Sequence, residues 1–296
     1  MLIFGLGYSG TAVARAAAAA GWDVTGTSRE PSHVAPPPGT RLVAFDAAGD
    51  ALAAATHLLA TAAPGDEGDP VLARYGDAIR AAPARWAGYL STTGVYGDRG
   101  GGWVDETTPP APGSDRSRRR LAAEEAWRAA FGASGRGRAL DLFRLAGIYG
   151  PGRSALDDVR AGTARRIAQP GHLFGRIHRA DIAAAVLAAI GQDLPPGVRV
   201  LNLSDDEPAA NADVVAEAAR LLGAAPPPLV PYVEAERTMS AMARSFWAEN
   251  RRVRSEATQR TLELRWRYPT YREGLAATLA EEAEQGGAQQ GEVRRA

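Results

Sequence analysis

Short apolar runs alternate with alanine-rich stretches along the first half of the chain. Residues 2–5 form an apolar run closed by glycine and predict a buried strand, and the helix-forming alanines of 11–20 predict a helix. Runs 22–27, 41–45 and 57–61 read as further strands, 70–82 as a helix and 86–91 as a strand. A Gly/Pro-rich loop over 97–113 precedes a helix at 116–131 and a strand at 140–145. Such alternation builds right-handed βαβ units. It predicts an α/β fold, a Rossmann-type doubly wound parallel sheet covered on both faces.

Beyond residue 150 the order is less regular. A helix is expected at 157–168, a strand at 175–178, a helix at 181–190 and a strand at 199–203. Helices follow at 211–222, 235–243 and 271–284, with the Pro-rich stretch 225–231 as a linker. The organisation read from this pattern is a dinucleotide-binding domain over 1–150. A C-terminal part over 151–285 contributes sheet strands and a small interleaved lid, and 286–296 is a polar, disordered tail.

Composition removes several chemistries. All basic residues are arginine; the chain holds neither lysine nor cysteine. A Schiff-base lysine, a cysteine nucleophile, a zinc–thiolate site and a Walker phosphate loop are therefore excluded. The 34 basic and 34 acidic residues balance, which argues against nucleic acid as a partner. Residues 1–22 are apolar but lack a basic leader and are broken by glycines, so they do not read as a secretory signal. No run suits a membrane span, and a cytoplasmic protein with a small-molecule substrate is expected.

Gly5-Leu6-Gly7-Tyr8-Ser9-Gly10 is a G-x-G-x-x-G placed directly after a strand and at the opening of a helix. In that position Gly5 makes the turn, Gly7 admits a pyrophosphate and Gly10 lets helix and strand pack closely. The N–H groups around Tyr8 and Ser9 face the anion. The end of the second strand lacks the acid that binds the ribose of NAD, since Asp23 comes too early. Ser28 and Arg29 stand there instead, as donors suited to a 2′-phosphate, so NADP is the expected cofactor, with NAD the alternative.

Several blocks in order resemble the extended, NAD-dependent epimerase/dehydratase-like branch of the short-chain dehydrogenase/reductase superfamily. After the glycine turn, Asp46 resembles the family acid at the adenine. Residues 91–97 (STTGVYG) look like its S-[ST]-x-x-V-Y-G segment. Residues 144–152 (RLAGIYGPG) and 177–183 (IHRADIA) are similar to its later turns. The resemblance implies a role for Thr92 as the hydroxyl on the reacting oxygen. It implies Arg120, in place of the family lysine, as the group on the nicotinamide ribose. Arg116 falls on the catalytic tyrosine, and a guanidinium does not exchange protons near neutrality. The chain thus resembles an atypical subgroup without the Tyr-x-x-x-Lys pair, and pairing into a homodimer is a further expectation from the family.

Tyr96, Tyr149 and His178 are the remaining candidates for substrate contact or proton transfer, His178 because imidazole titrates in the physiological range. Phe174 stands where epimerases carry an arginine for a sugar-nucleotide pyrophosphate. The functional expectation is an NADP-dependent oxidoreductase or epimerase-like enzyme acting on a small carbonyl or hydroxyl compound. The alternative is a non-catalytic NADP-binding sensor or regulatory protein.

Overall fold

The computed structural model describes residues 1–132, 137–192 and 195–293. The first half runs β1 (Leu2–Phe4), α1 (Tyr8–Ala19), β2 (Val24–Ser28), β3 (Thr40–Ala44), α2 (Gly49–Ala54), β4 (His57–Ala60), α3 (Pro70–Ala81) and β5 (Trp86–Thr92). Next come β6 (Trp103–Val104), α4 (Asp115–Trp127), β7 (Ala139–Leu145) and β8 (Gly147–Tyr149). The second half holds α5 (Ala155–Arg160), β9 (Arg166–Ala168), β10 (Arg176–His178), α6 (Arg179–Ile190), β11 (Gly197–Leu203) and α7 (Asn211–Leu221). β12 (Leu229–Pro231), α8 (Tyr232–Ala235), α9 (Ala241–Trp247), β13 (Arg252–Val253), α10 (Glu256–Thr261) and α11 (Tyr271–Val293) complete it.

Seven strands form one parallel sheet in the order β11-β7-β5-β4-β1-β2-β3. β1 pairs with β2 on one side and β4 on the other, so chain order reverses there and the strand ends open a crevice. Strand alternation sends successive side chains of β1 to opposite faces. Leu2 and Phe4 pack with Leu52, Ile79 and Trp127, whereas Ile3 packs with Val13, Ala17 and Val186. Both faces are thereby covered, as the near-continuous apolar strands require. β11, from the C-terminal part, is the edge strand beside β7. Pairs β8–β10, β9–β12 and β6–β13 form three small parallel sheets outside the main one. No helix among the described residues is long and apolar enough to cross a membrane.

Three local expectations change. The helix expected over 157–168 stops at Arg160, because Gly162 turns the chain with φ 68, and Arg166–Ala168 becomes a strand. Its partner is Leu229–Pro231, so the end of the Pro-rich linker is an edge strand, where a missing N–H is tolerated. The tail expected to be disordered from 286 continues α11 as helix to Val293, in keeping with its Ala, Glu and Gln content. Residues 294–296 lie outside the described residues.

A polar tie fixes α4 to the sheet. Glu124 on α4 is fully buried and accepts from Arg144 Nε (3.1 Å) and Nη2 (2.7 Å) on β7. The Ser91 hydroxyl on β5 donates to the same carboxylate at 2.6 Å. Arg144→Met leaves that carboxylate buried without its cation. The expected loss is about 3–5 kcal/mol of unfolding free energy, measurable by urea denaturation.

His178 is buried as well. Its Nδ1 accepts the Ala180 N–H at 3.2 Å and caps α6, while Nε2 lies 3.3 Å from Thr278 Oγ1. Thr278 sends its own proton to the Gly274 carbonyl, so the neutral ring carries its hydrogen on Nε2. Burial, then Arg179 and Arg267, push the His178 pKa down to about 4. Stability from keeping this ring neutral is complete above about pH 6.5 and lost as pH falls toward 4, because the unfolded chain takes up the proton first. Asp205, raised by burial, acts in the opposite sense, so the variant must be compared with wild type. His178→Asn keeps a capping side chain. Relative to wild type it should lose on the order of 2 kcal/mol less between about pH 7 and pH 5.

Candidate active site

The turn between β1 and α1 leaves little freedom in sequence. Gly5 has φ 107, and a Cβ on it would lie 2.7 Å from Thr61 Oγ1. A Cβ on Gly10 would lie 2.0 Å from the Gly5 carbonyl oxygen, whereas Gly7 has nothing within 4 Å. Two glycines therefore close the turn and the middle one faces open space. The Gly5 N–H is held by Thr27 Oγ1 (3.1 Å), and the Thr61 hydroxyl donates to the Gly5 carbonyl (2.6 Å). No side chain caps α1 at Gly7. Its first-turn N–H groups and the positive end of its dipole are thus available to an anion.

Tyr8 and Ser9 follow the turn. Ser9 is buried. The guanidiniums of Arg153 (5.5 Å) and Arg179 (5.4 Å) both lie over the Tyr8 ring, and its hydroxyl donates to the Pro151 carbonyl at 3.2 Å. Burial pushes its pKa up to about 12, so it stays neutral. At the ends of β2 and β3 the polar residues are open. Arg29 is exposed and has no ion pair among the described residues, and Ser28 Oγ accepts the Glu30 N–H. The Asp46 side chain is 84% exposed and lies 3.8 Å from Arg74 Nε. Ser28, Arg29 and Asp46 thus lie at or just beyond the ends of β2 and β3, with Arg29 alone unpaired among the described residues.

A cleft of about 780 Å³ opens beside the end of β5. Thr92, Arg120 and Tyr149, three of the residues singled out in the sequence, line it. Thr92 Oγ1 accepts the Gly94 N–H at 3.1 Å, which leaves its own proton to donate. Arg120 sends Nη1 to the carbonyls of Leu90 (2.7 Å) and Ala62 (3.4 Å) and to the Tyr89 hydroxyl (3.2 Å). Its planar fork is therefore anchored through Nη1, and Nε and Nη2 make no bond among the described residues. Arg116, at the tyrosine position of the family pattern, stacks its guanidinium 5.3 Å from the Phe246 ring. Desolvation, then Arg120 and Arg153, hold its pKa below the usual guanidinium value.

Two candidates do not line this cleft. Tyr96 is fully buried, donates to Asn202 Oδ1 at 2.7 Å and lies under the Arg144 guanidinium at 4.8 Å. His178 is occupied as the cap of α6, between the rings of Tyr149 (5.2 Å) and Tyr268 (4.4 Å). Both side chains tie elements together, which corrects their reading as substrate contacts. Tyr149 does reach the cleft, but its hydroxyl is buried without a partner among the described residues, and burial raises its pKa far above neutrality. A Cβ on Gly274 would meet that hydroxyl at 1.8 Å, so the glycine of α11 makes room for it.

Other lining residues escaped the sequence reading. Arg153 leaves the turn after Tyr149, where Gly150 and Gly152 have φ 150 and 72. The hydroxyls of Ser114 and Ser117, 3.0 Å apart at the start of α4, also face the cleft. The signal for Ser114 was an N-cap before a charged helix, and it indeed caps α4. Nothing local marks Arg153.

No protein-family model matches the sequence. Protein YeeZ of Escherichia coli (strain K12) is 30% identical over 244 residues, covering 76% of this chain and 84% of YeeZ. A functionally unknown conserved protein from Silicibacter pomeroyi is 44% identical with a TM-score of 0.85, over 95% of this chain and 98% of that one. A Methylobacillus flagellatus protein classed with the NAD-dependent epimerase/dehydratases is 27% identical with a TM-score of 0.70, over 95% and 98%. With these likenesses, the uncapped glycine turn and the reversal of strand order beside it, the chain belongs to the family of YeeZ, within the extended, epimerase/dehydratase-like short-chain dehydrogenase/reductases.

Proposed function

We propose that the protein binds NADP and transfers a hydride between it and a small carbonyl or hydroxyl compound in the cleft beside Thr92. The observation that carries this is the β1–α1 turn, whose Gly7 is open to 4 Å and whose helix end is uncapped, at the same end of the sheet as Thr92. The residues fit the group. N–H groups of the first turn of α1 bind the pyrophosphate, and Arg29 with Ser28 takes the 2′-phosphate. Asp46 accepts from the adenine amino group. The open side of Arg120 holds the nicotinamide ribose, its other side being fixed on Leu90 and Ala62.

When bound, the nicotinamide supplies or accepts the hydride. The Thr92 hydroxyl, with its acceptor side taken by Gly94, donates to the substrate oxygen and polarises the carbonyl. Arg116 contributes positive charge and no proton exchange. That last feature favours the second reading, an NADP-binding sensor without turnover.

Fluorescence titration should give NADPH an affinity about tenfold or more above that of NADH, a preference that Arg29→Ala removes. Equal affinity of the wild-type protein for both would sink the NADP assignment. Against a panel of carbonyl compounds, NADPH oxidation should fall about 10²-fold in Thr92→Val with cofactor affinity kept. Tight NADPH binding with no oxidation across the panel would select the sensor.

A further inference from the structure

The cleft has a cationic wall that its own carboxylates do not neutralise. Arg116, Arg120 and Arg153 all line it, and none of the three forms an ion pair among the described residues. The carboxylates that line the cleft are not paired with these three cations. Glu249 pairs with Arg251 at 2.7 Å, and Asp157 accepts from the Ser154 N–H at 2.7 Å while facing Arg160. Asp158, the remaining lining acid, forms no ion pair with them among the described residues. The charged neighbours of Arg116 are the two other guanidiniums, which disfavour its charge.

Like charges gathered without a counter-charge cost energy in the free protein, and an entering anion relieves that cost. The guanidiniums are also positioned. Arg116 rests on the face of Phe246, Arg153 on that of Tyr8, and Arg120 is fixed by two carbonyls and a hydroxyl. Restraint of this kind reduces the entropy lost when a planar acid group is bound. Phe174, Phe246 and Trp247 line the same cleft, with Phe174 and Trp247 edge-to-face at 4.9 Å.

We propose that Arg116 and Arg153 of this wall bind the acidic group of a small substrate, a carboxylate or phosphate carried on a flat or apolar body that packs against these rings. This rests on the cleft being the substrate site, as proposed above. Arg116, standing where the resemblance places a proton-transferring tyrosine, is then a substrate-binding residue that selects for charge.

The test is calorimetric titration of the whole chain with benzoate, phenyl phosphate and their neutral counterpart benzamide, each with and without saturating NADPH. At least one anion should bind about tenfold or more tightly than benzamide, and the tighter of the two identifies the acidic group. Arg116→Gln and Arg153→Gln should each reduce that ratio several-fold, and the double variant should bring it near one, with a melting temperature no lower than that of wild type and NADPH binding kept. Arg118→Gln, whose side chain pairs with Asp115, should leave the ratio as in wild type. Absence of anion binding, equal binding of anions and benzamide, or an unchanged ratio in the double variant overturns the proposal. The NADPH titration separates this from the hydride-transfer reading. Anion preference without NADPH binding removes that reading and leaves the wall; NADPH binding without anion preference removes the wall alone.

Discussion

The arrangement of the cleft depends on one buried carboxylate. Helix α4 is strongly polar over its first turns, so burial of Ala123 and Trp127 anchors only its far end. Glu124 supplies the registration, because both of its oxygens are bound by groups on two strands, Ser91 of β5 and Arg144 of β7, which are direct neighbours in the sheet. Residues at i and i+4 share a helix face. Arg116, Arg120 and Glu124 therefore form a single stripe, each about 6 Å further along the axis. The buried end fixes the sequence of depths. Glu124 lies in the interior, Arg120 is half-buried against the end of β5 and Arg116 reaches the mouth. A carboxylate shifted by one position would rotate the two arginines away from Thr92.

The absence of lysine takes on a structural meaning at Arg120. An ammonium is a compact charge on a flexible stem, and it cannot present a fixed planar fork. Arg120 uses one nitrogen for two carbonyls and the Tyr89 hydroxyl, and keeps the other edge of the fork toward the cleft. The position that resembles the family lysine is thus built for guanidinium in its surroundings, the Tyr89 ring at 5.7 Å included. Arg116 is likewise matched to its neighbour, Phe246. These contacts describe a site organised around arginine, with side chains on two elements, Tyr89 of β5 and Phe246 of α9, fitted to it.

The central sheet was legible because its signals are local: short apolar runs, alanine-rich helices and glycines at fixed spacing. The glycine turn was readable for the same reason, since the clash of a Gly10 Cβ with Gly5 is set by residues five apart. Tyr96 and His178 were misread because what defines them is distant. Tyr96 is bound by Asn202, 106 positions later, and His178 meets Thr278, 100 positions later. Burial alone turns a titratable imidazole into a neutral cap, and no local pattern announces burial of that kind. The short strands β8, β9, β12 and β13 were equally hidden. Two or three residues carry no period, and each is a strand only because its partner passes beside it.

The two ends of the site are fixed by different kinds of atoms. At the glycine turn the determinants are backbone N–H groups and the absence of Cβ atoms, so a substitution at Gly10 disturbs the strand–helix junction itself. At the cleft the determinants are side-chain tips on the outer turns of α4 and on the Gly150–Arg153 turn, whose replacement leaves Glu124 and its partners in place. A lineage can therefore exchange a proton-transferring tyrosine for an arginine without touching what holds a dinucleotide. Likeness in fold then transfers knowledge unevenly. It speaks strongly for the glycine turn, where geometry forbids alternatives, and weakly for the chemistry at Thr92. There the identity of a few exposed side chains decides whether a neutral or an acidic molecule is retained.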